Sequence, residues 1–286
     1  MIESTFSPEA FYYRLQNSRK KDFAFHEWRA YRKEVTDLLL QSCDSGSTLA
    51  VFGAGPCNDL DLARLSEHFS QITLLDFNEA SMKSALRRYS LEASPRIRLE
   101  ISDFAGITDE DYIDFLSQLQ KEYLHNFTSS SPALESLNRM YEKARRYMPD
   151  FGQNQYDCCL ALNIHSQLND TADWLRTSMS EYMGRPLSSD RQIAERVRRE
   201  NTVFIKKFND ALLSAVRHLA FIGYETGLEN REGLVIQGAF QAFEDLRKRQ
   251  RQGFLHSICR HHLLWPCDRA KDIVFSVLLE TLQVAG

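Results

Sequence analysis

Two glycines separated by one residue are the feature of this 286-residue sequence that points most directly to ligand chemistry. Gly53, Ala54 and Gly55 follow the short apolar run Leu49–Phe52 and precede an amphipathic stretch. Because glycine has no Cβ, a ligand can approach a glycine turn closely. A glycine turn between a buried strand and a helix therefore predicts a ligand at the carboxyl end of that strand.

Acidic residues follow the next two apolar runs of the chain. Asp76 ends the run Ile72–Leu75, and Asp103 follows the run Ile97–Ile101. A carboxylate at the end of the second strand can accept hydrogen bonds from both hydroxyls of a ribose. Together with the glycine turn, Asp76 predicts a nucleoside-containing ligand. The alternative is a tight turn followed by an aspartate that caps a helix.

The elements that must position these residues alternate between strand and helix. Short apolar runs predict buried strands, and amphipathic stretches at 59–69 and 81–91 predict helices between the first three. The predicted strands are 49–52, 72–75, 97–101, 156–164, 219–224, about 255–265 and about 272–282. This alternation predicts a doubly wound α/β fold with a mostly parallel sheet.

Helical segments surround the predicted sheet. Residues 1–45 are expected to form an N-terminal helical cap or lid, because apolar residues after Trp28 recur at helical spacing. Residues 46–286 are expected to form the α/β domain, with helical insertions at about 109–150 and 170–200. A lid of this kind would cover the substrate side of the site and exclude water.

Composition narrows the class of protein. Hydrophobic residues make up 43% of the chain and charged residues 26%, as in globular domains. The formal net charge of −4 is a poor match to a polyanion and argues against a nucleic-acid partner. We expect no membrane span and no secretion signal, since no apolar run is long enough. Six cysteines are too few for a disulfide scaffold, so we expect reduced thiols in a cytoplasmic protein.

These motifs resemble those of the class I S-adenosylmethionine-dependent methyltransferases, over about residues 48–282. The resemblance implies a seven-stranded, mostly parallel doubly wound sheet with an N-terminal helical cap and helical insertions. It also implies S-adenosyl-L-methionine as cofactor and S-adenosyl-L-homocysteine as product. Gly53, Ala54 and Gly55 match the loop under the amino-acid part of the cofactor, and Asp76 matches the ribose-binding acid.

The resemblance assigns the adenine contacts as well. In the family the third strand typically ends in an acid that contacts the adenine amine, with an apolar neighbour on the ring. Asp103 and Phe104 match this pair, and Phe77 after the ribose-binding acid is placed in the cofactor site.

Two positions depart from the family pattern. Val51 stands where an acid is common, and Cys57 stands where a third glycine is common. We expect Asn58 and Asp59 to supply the missing polar contacts from the loop, including one to the cofactor ammonium.

The segment after the fourth strand is expected to lie nearest the reacting methyl group. An oxygen or nitrogen acceptor needs a free lone pair in line with that methyl, and a nearby base helps. His165 is the candidate base, while Asn163 and Gln167 are candidates for orienting the acceptor, Asn163 also contacting the cofactor. Tyr224, with its neighbour Glu225, is a further catalytic candidate. The alternatives are structural: a histidine bonded within its loop, and simple strand termination.

Aromatic residues near the N-terminus are candidates for the acceptor pocket. Tyr12, Tyr13 and Trp28 are expected to form its wall or to stack on a cation. The alternative is that these rings belong to the core of an N-terminal helical layer. A small-molecule acceptor is the expected partner, and a protein acceptor is the second possibility.

Two other functions fit parts of the sequence. A nicotinamide-dependent oxidoreductase uses a similar turn but needs a third glycine, and Asn58 occupies that position. A non-catalytic cofactor-binding protein would share the whole site. A zinc site is not expected, although four possible ligands lie close together: Cys259, His261, His262 and Cys267. Their spacing matches no zinc template, and His261 and His262 would point to opposite faces of a strand.

Overall fold

A computed structural model describes residues 7–18, 23–125, 131–229 and 235–284. Its helices are α1 Pro8–Ser18, α2 Ala24–Glu27, α3 Arg29–Ser42, α4 Leu62–His68, α5 Glu79–Tyr89, α6 Asp109–His125, α7 Pro132–Arg146, α8 Thr171–Met183, α9 Asp190–Ala215 and α10 Gln237–Arg251. Its strands are β1 Thr48–Phe52, β2 Gln71–Asp76, β3 Ile97–Ile101, β4 Tyr156–Leu162, β5 Val216–Leu228, β6 Leu255–Asp268 and β7 Ile273–Val284. In these ranges no helix is both long and apolar enough to cross a membrane.

The seven strands form one sheet in the order β3-β2-β1-β4-β5-β7-β6. The first five strands in this order pair in parallel, whereas β7 is antiparallel to both β5 and β6. The predicted seven-stranded, mostly parallel α/β fold is therefore confirmed. Because parallel strands end at the same edge, the residues after β1 to β5 gather there.

Both faces of the central strands are covered, as their continuous apolar sequences predict. On one side of the sheet, α3 buries Tyr31, Val35 and Leu39 in the core. Elsewhere, four phenylalanine rings from β1, the segment after β3, residue 151 and α9 pack with centroids 4.8–6.4 Å apart: Phe52, Phe104, Phe151 and Phe208. Burial of these apolar surfaces is the main term that holds the strands in place.

The chain divides into two compact units. The helical unit contains α1, the described residues of 105–148 with α6 and α7, and residues 167–204 with α8 and the first part of α9. The sheet unit contains the other described residues, and α9 is divided between Phe204 and Ile205. The predicted N-terminal cap, residues 1–45, is not one body in this division. Its α1 belongs to the helical unit, where Tyr12 stacks on Tyr112 of α6, whereas α2 and α3 belong to the sheet unit. Residues 1–6 and 19–22 of that cap lie outside the described residues.

A buried carboxylate ties α7 to α9 within the helical unit. Glu200 has no exposed side-chain surface and accepts hydrogen bonds from Arg145 at 2.7 and 2.9 Å and from Arg196. Burial alone raises the pKa of Glu200, but the hydrogen bonds from the two guanidinium groups outweigh it and hold the pKa below its usual value. The carboxylate therefore stabilises the folded state in its ionised form.

We predict that Glu200→Gln lowers the free energy of unfolding at pH 7 by about 1–3 kcal/mol, because an amide cannot satisfy two guanidinium groups. The folded-state pKa is lowered, so the stabilisation is complete above the unfolded-state pKa and is lost as pH falls through the folded value. The difference between variant and wild type should therefore shrink below about pH 4. Urea denaturation at several pH values measures it.

The matched control is Glu195→Gln on the same helix. Glu195 pairs with Arg191 at the surface, where both side chains are exposed, so this variant should leave stability unchanged. Equal losses in the two variants, or a Glu200→Gln loss that persists at pH 3, would contradict the role of Glu200.

Candidate ligand site at the carboxyl edge of the sheet

The glycine turn is fastened to the end of β2 by three backbone donors. The N–H groups of Gly53 and Ala54 donate to the carbonyl oxygen of Leu75, at 2.9 and 3.1 Å. The N–H of Gly55 donates to Oδ2 of Asp76 at 2.9 Å. The turn and the acid that the sequence picks out separately are thus one hydrogen-bonded unit.

Gly53 is required by both conformation and space. Its φ is +69°, in the left-handed region that side chains disfavour, and a Cβ on it would lie 2.6 Å from Cδ1 of Ile164. Gly55 also has a positive φ, +48°. Cys57, which replaces the third glycine, adopts φ +47° and is fully buried. The turn keeps its left-handed geometry there without a glycine.

Asp76 is buried but not saturated. Oδ1 accepts from the N–H of Asn78 at 2.8 Å, and Oδ2 accepts from Gly55. Each carboxylate oxygen has a further lone pair that can accept a ligand hydroxyl. Burial raises the pKa of Asp76, while the N–H groups of Asn78 and Gly55 oppose that rise. The acid is therefore held in a fixed orientation at the end of β2.

Exposed apolar side chains flank this acid. Phe77 is 74% exposed, and Ile101, which pairs with Asp76 across β2 and β3, is 65% exposed. Asp103 lies exposed just beyond β3, whereas Phe104 is buried among the other phenylalanine rings. The exposed apolar surface at this edge therefore comes from Phe77 and Ile101, whereas Phe104 contributes little to it.

The loop after the glycine turn is held by two arginines. Arg88 donates to Oδ1 of Asn58 at 2.7 Å, and Arg32 donates to the carbonyl oxygen of Asn58 at 2.9 Å. Helix α4 begins only at Leu62, with Asp61 as its N-cap. The predicted helix start at residue 59 was therefore too early. Asp59 lies in this loop, where burial raises its pKa to about 6 against the opposing effects of its own N–H and of Arg32.

Polar side chains also meet at the ends of β4 and β5. Asn163, at φ +55°, donates from Nδ2 to the hydroxyl of Tyr31 at 3.1 Å. Ser166 donates to Oε1 of Glu225 at 2.8 Å. Burial raises the pKa of the Tyr31 hydroxyl, and the charges of Asp59 and Glu225 raise it further. Two carboxylates therefore act on one buried hydroxyl, which makes this region attractive to a cation.

His165 is fully buried beside this group. Its Nε2 lies 2.9 Å from Oδ1 of Asn209, and its ring packs edge-on against Phe208. Burial lowers its pKa to about 4, although Asn209 and Asp245 favour the charged form. A neutral imidazole at pH 7 is compatible with the predicted base and also with a bonded loop histidine, so the catalytic assignment stays a prediction.

The other predicted residues are distributed over both units. In the sheet unit, Tyr224 donates to Glu280 at 3.3 Å and Trp28 packs against Trp265. In the helical unit lie the remaining candidates for substrate contacts, Tyr12, Tyr13 and Gln167. Tyr12 donates to Asp109 at 2.7 Å, while Tyr13 and Gln167 are exposed. Their substrate roles stay predictions.

Sequence reasoning missed two members of the edge. Tyr31 falls in the apolar stripe of α3, which predicts its burial but not the partner of its hydroxyl. Ser166 carries no distinguishing pattern.

The possible metal ligands of β6 do not assemble into a site. Across the described part of the chain no three His, Cys, Asp or Glu side chains group as metal ligands. Among the cysteines and histidines between residues 259 and 267, Sγ of Cys259 lies 3.3 Å from Nε2 of His261. This contact is a pair within one strand, and a pair is too few ligands for structural zinc.

Comparisons with known proteins find similar solved structures at low sequence identity. No protein-family model and no curated protein matches the sequence. Three similar solved structures are described as methyltransferases or methylases. A SAM-dependent methyltransferase from Aquifex aeolicus shares 10% identity over 98% of this chain and 100% of its own, with a TM-score of 0.46.

The N-methyltransferase NodS from Bradyrhizobium japonicum, in complex with S-adenosyl-L-homocysteine, shares 13% identity over 96% of this chain and 98% of its own, with a TM-score of 0.45. An rRNA methylase from Streptococcus thermophilus shares 9% identity over 87% of this chain and 93% of its own, with a TM-score of 0.38. At these values function depends on the site residues themselves.

We predict that Gly53→Ala lowers the free energy of unfolding by about 1–2 kcal/mol through its positive φ, plus the cost of moving Ile164. Gly46→Ala is the matched control, since Gly46 has φ +89° and a Cβ added to it would meet nothing within 4 Å. Urea denaturation of wild type, Gly53→Ala and Gly46→Ala measures the cost of the positive φ and the additional cost of moving Ile164. Wild-type stability in Gly53→Ala, or a larger loss in Gly46→Ala, would contradict the packing of Ile164 against the turn.

Proposed function

We propose that this protein binds S-adenosyl-L-methionine at the carboxyl edge of its sheet and transfers the methyl group to an oxygen or nitrogen atom of an acceptor. One observation carries the proposal. Asp76 is a buried carboxylate fixed by the N–H of Gly55, with exposed apolar side chains on either side of it. A rigid acceptor of hydrogen bonds beside an uncovered apolar surface is what an adenosine requires.

The two halves of that surface suit the two halves of the nucleoside. The free lone pairs of Asp76 can accept from the ribose hydroxyls. Phe77 and Ile101 leave apolar area that a flat base would remove from water, and an aromatic ring adds stacking to this gain. Asp103 is exposed near the same edge and is the proposed acceptor for the adenine amine.

The other end of the site suits a cationic ligand. S-adenosyl-L-methionine carries a positive sulfonium and a positive ammonium, and Asp59 and Glu225 place negative charge around Tyr31. Gly55 leaves room at the backbone beside Asp76, since a Cβ on it would meet only Oδ2 of Asp76, at 3.9 Å. The proposed contact of the ammonium is Asp59, one of the two loop residues, with Asn58, to which the sequence analysis assigns the polar contacts of the loop.

When bound, the cofactor would supply an electrophilic methyl group to the lone pair of the acceptor, and the methylated acceptor would release one proton. The residues of the chain then orient the acceptor and take up that proton. His165 is the proposed base, because its buried ring is neutral at pH 7. Asn163, held by Tyr31, is proposed to orient the acceptor.

A dinucleotide fits this edge less well. Pyrophosphate binding in such folds uses a helix whose N-terminus follows the glycine turn directly. Here α4 starts at Leu62, after a loop fixed by Arg32 and Arg88, and its first turn is capped by Asp61. A nicotinamide cofactor would therefore lack its main anchor for phosphate.

The acceptor itself is proposed to be a small molecule. The similar solved structures include proteins described as an N-methyltransferase and as an rRNA methylase, so similarity of fold does not select an acceptor. The negative net charge favours a small or cationic acceptor over a polyanion.

Calorimetric titration tests the cofactor assignment. We predict micromolar binding of S-adenosyl-L-homocysteine, and a 10- to 100-fold weaker affinity in Asp76→Asn, about 1.4–2.8 kcal/mol. The reason is that an amide has one acceptor oxygen where the carboxylate has two. Asp157→Asn is the control, since Asp157 also bonds a strand backbone, at Thr48, but at the opposite edge of the sheet.

Three results would contradict the assignment. They are absence of heat with both S-adenosyl-L-methionine and S-adenosyl-L-homocysteine, tighter binding of a nicotinamide cofactor, and an equal loss of affinity in Asp157→Asn. Binding of the methyl donor without transfer to any acceptor would instead indicate a cofactor-binding protein without enzymatic activity.

A further inference from the structure

A chain of three side chains leads from the surface of α10 to the buried ring of His165. Asp245 Oδ2 accepts from Nδ2 of Asn209 at 2.8 Å, and Oδ1 of Asn209 faces Nε2 of His165 at 2.9 Å. All three residues belong to the sheet unit. Asn209 has no exposed surface and His165 is 1% exposed, so water does not compete for these hydrogen bonds.

The chemistry of the groups fixes every proton in this chain. A carboxylate only accepts, so the amide of Asn209 must turn its NH2 group toward Asp245. Its carbonyl oxygen then faces His165, and a carbonyl oxygen also only accepts. Nε2 of His165 must therefore carry the proton. Because the buried ring is neutral, its other nitrogen, Nδ1, is left with a lone pair.

That lone pair has no partner. Nδ1 of His165 is buried and makes no hydrogen bond with any described residue. Buried polar atoms are almost always bonded, so an orphaned one calls for an explanation. The ring geometry directs Nδ1 away from Asn209, and the neighbours of His165 in sequence already belong to the candidate site: Asn163 bonds Tyr31, Ile164 touches Gly53, and Ser166 bonds Glu225.

We propose that Asp245 and Asn209 are positioning residues that hold His165 as its Nε2–H tautomer, and that Nδ1 is the atom that accepts an N–H or O–H of the methyl acceptor. The acceptor role of Nδ1 rests on the proposed methyl transfer. The Nε2–H tautomer does not, because it follows from the hydrogen bonds of Asp245 and Asn209. It deepens the role of His165 by naming the reactive nitrogen. It also implies an acceptor that carries a proton on the atom to be methylated.

Asp245 is itself fixed by an ion pair. Arg249 donates to its Oδ2 at 2.7 Å and also bonds Asp210 at 2.7 Å. Asp210 therefore shares the same arginine, and it also pairs with Lys206 at 2.6 Å, whereas the orienting bond to Asn209 comes from Asp245. This gives a matched pair of variants: Asp245→Asn breaks the orienting bond to Asn209, whereas Asp210→Asn disturbs the pairs with Arg249 and Lys206 and leaves that bond in place.

Nitrogen NMR of the ring tests the tautomer without any cofactor. In long-range 1H–15N spectra of labelled protein, with the signal assigned through His165→Gln, we expect the Nε2–H form in wild type and in Asp210→Asn. In Asp245→Asn the Asn209 amide loses its fixed orientation, so the Nδ1–H form should become populated. A wild-type ring in the Nδ1–H or charged form, or an unchanged ring in Asp245→Asn, overturns the proposal.

Small probes test the free nitrogen. With S-adenosyl-L-homocysteine present, millimolar methylammonium, which has N–H donors, should shift the Nδ1 resonance, whereas tetramethylammonium, which has none, should not. Equal responses to the two ions, or none, overturn the acceptor role of Nδ1. Titration of S-adenosyl-L-homocysteine separates the two proposals: Asp245→Asn should bind it as tightly as wild type, and absence of binding in both proteins counts against the proposed function alone.

Discussion

The hydrogen bond from the N–H of Gly55 to Asp76 is the contact on which the candidate site depends. It joins the turn after β1 to the end of β2, and the bonds from Gly53 and Ala54 to Leu75 reinforce it. A buried carboxylate is costly unless it is bonded, so the backbone donors both stabilise Asp76 and fix its orientation. The same arrangement leaves lone pairs on the carboxylate that a ligand can use.

Negative charge is the second organising feature. Asp76 lies at the end of β2, Glu225 near the end of β5, and Asp59 in the loop between β1 and α4. The charges of Asp59 and Glu225 act on Tyr31, whose hydroxyl accepts from the amide of Asn163. A ligand with hydroxyls at one end and positive charge at the other would satisfy this edge, and S-adenosyl-L-methionine has both.

Local signals in the sequence were sufficient for the sheet and the glycine turn. Predictions from apolar runs that end in glycine or aspartate rest on hydrophobicity and backbone freedom, which are properties of the segment itself. The start of α4 was misplaced because Arg32 and Arg88, distant in sequence, hold the preceding loop open. The sequence could not predict that α1 and α3 belong to different units, because both helices are amphipathic and only tertiary packing separates them. Tyr31 shows the same limit: the apolar periodicity of α3 predicts that it is buried, not what its hydroxyl group meets.

A crystal structure of the protein with S-adenosyl-L-homocysteine would show whether the carboxyl edge around Asp76 is the proposed adenosyl site. We expect ribose hydroxyls on the carboxylate of Asp76, the adenine against Phe77 and Ile101, and the amino group near Asp59. A ligand bound elsewhere, or one at this edge with its ribose away from Asp76, would contradict it.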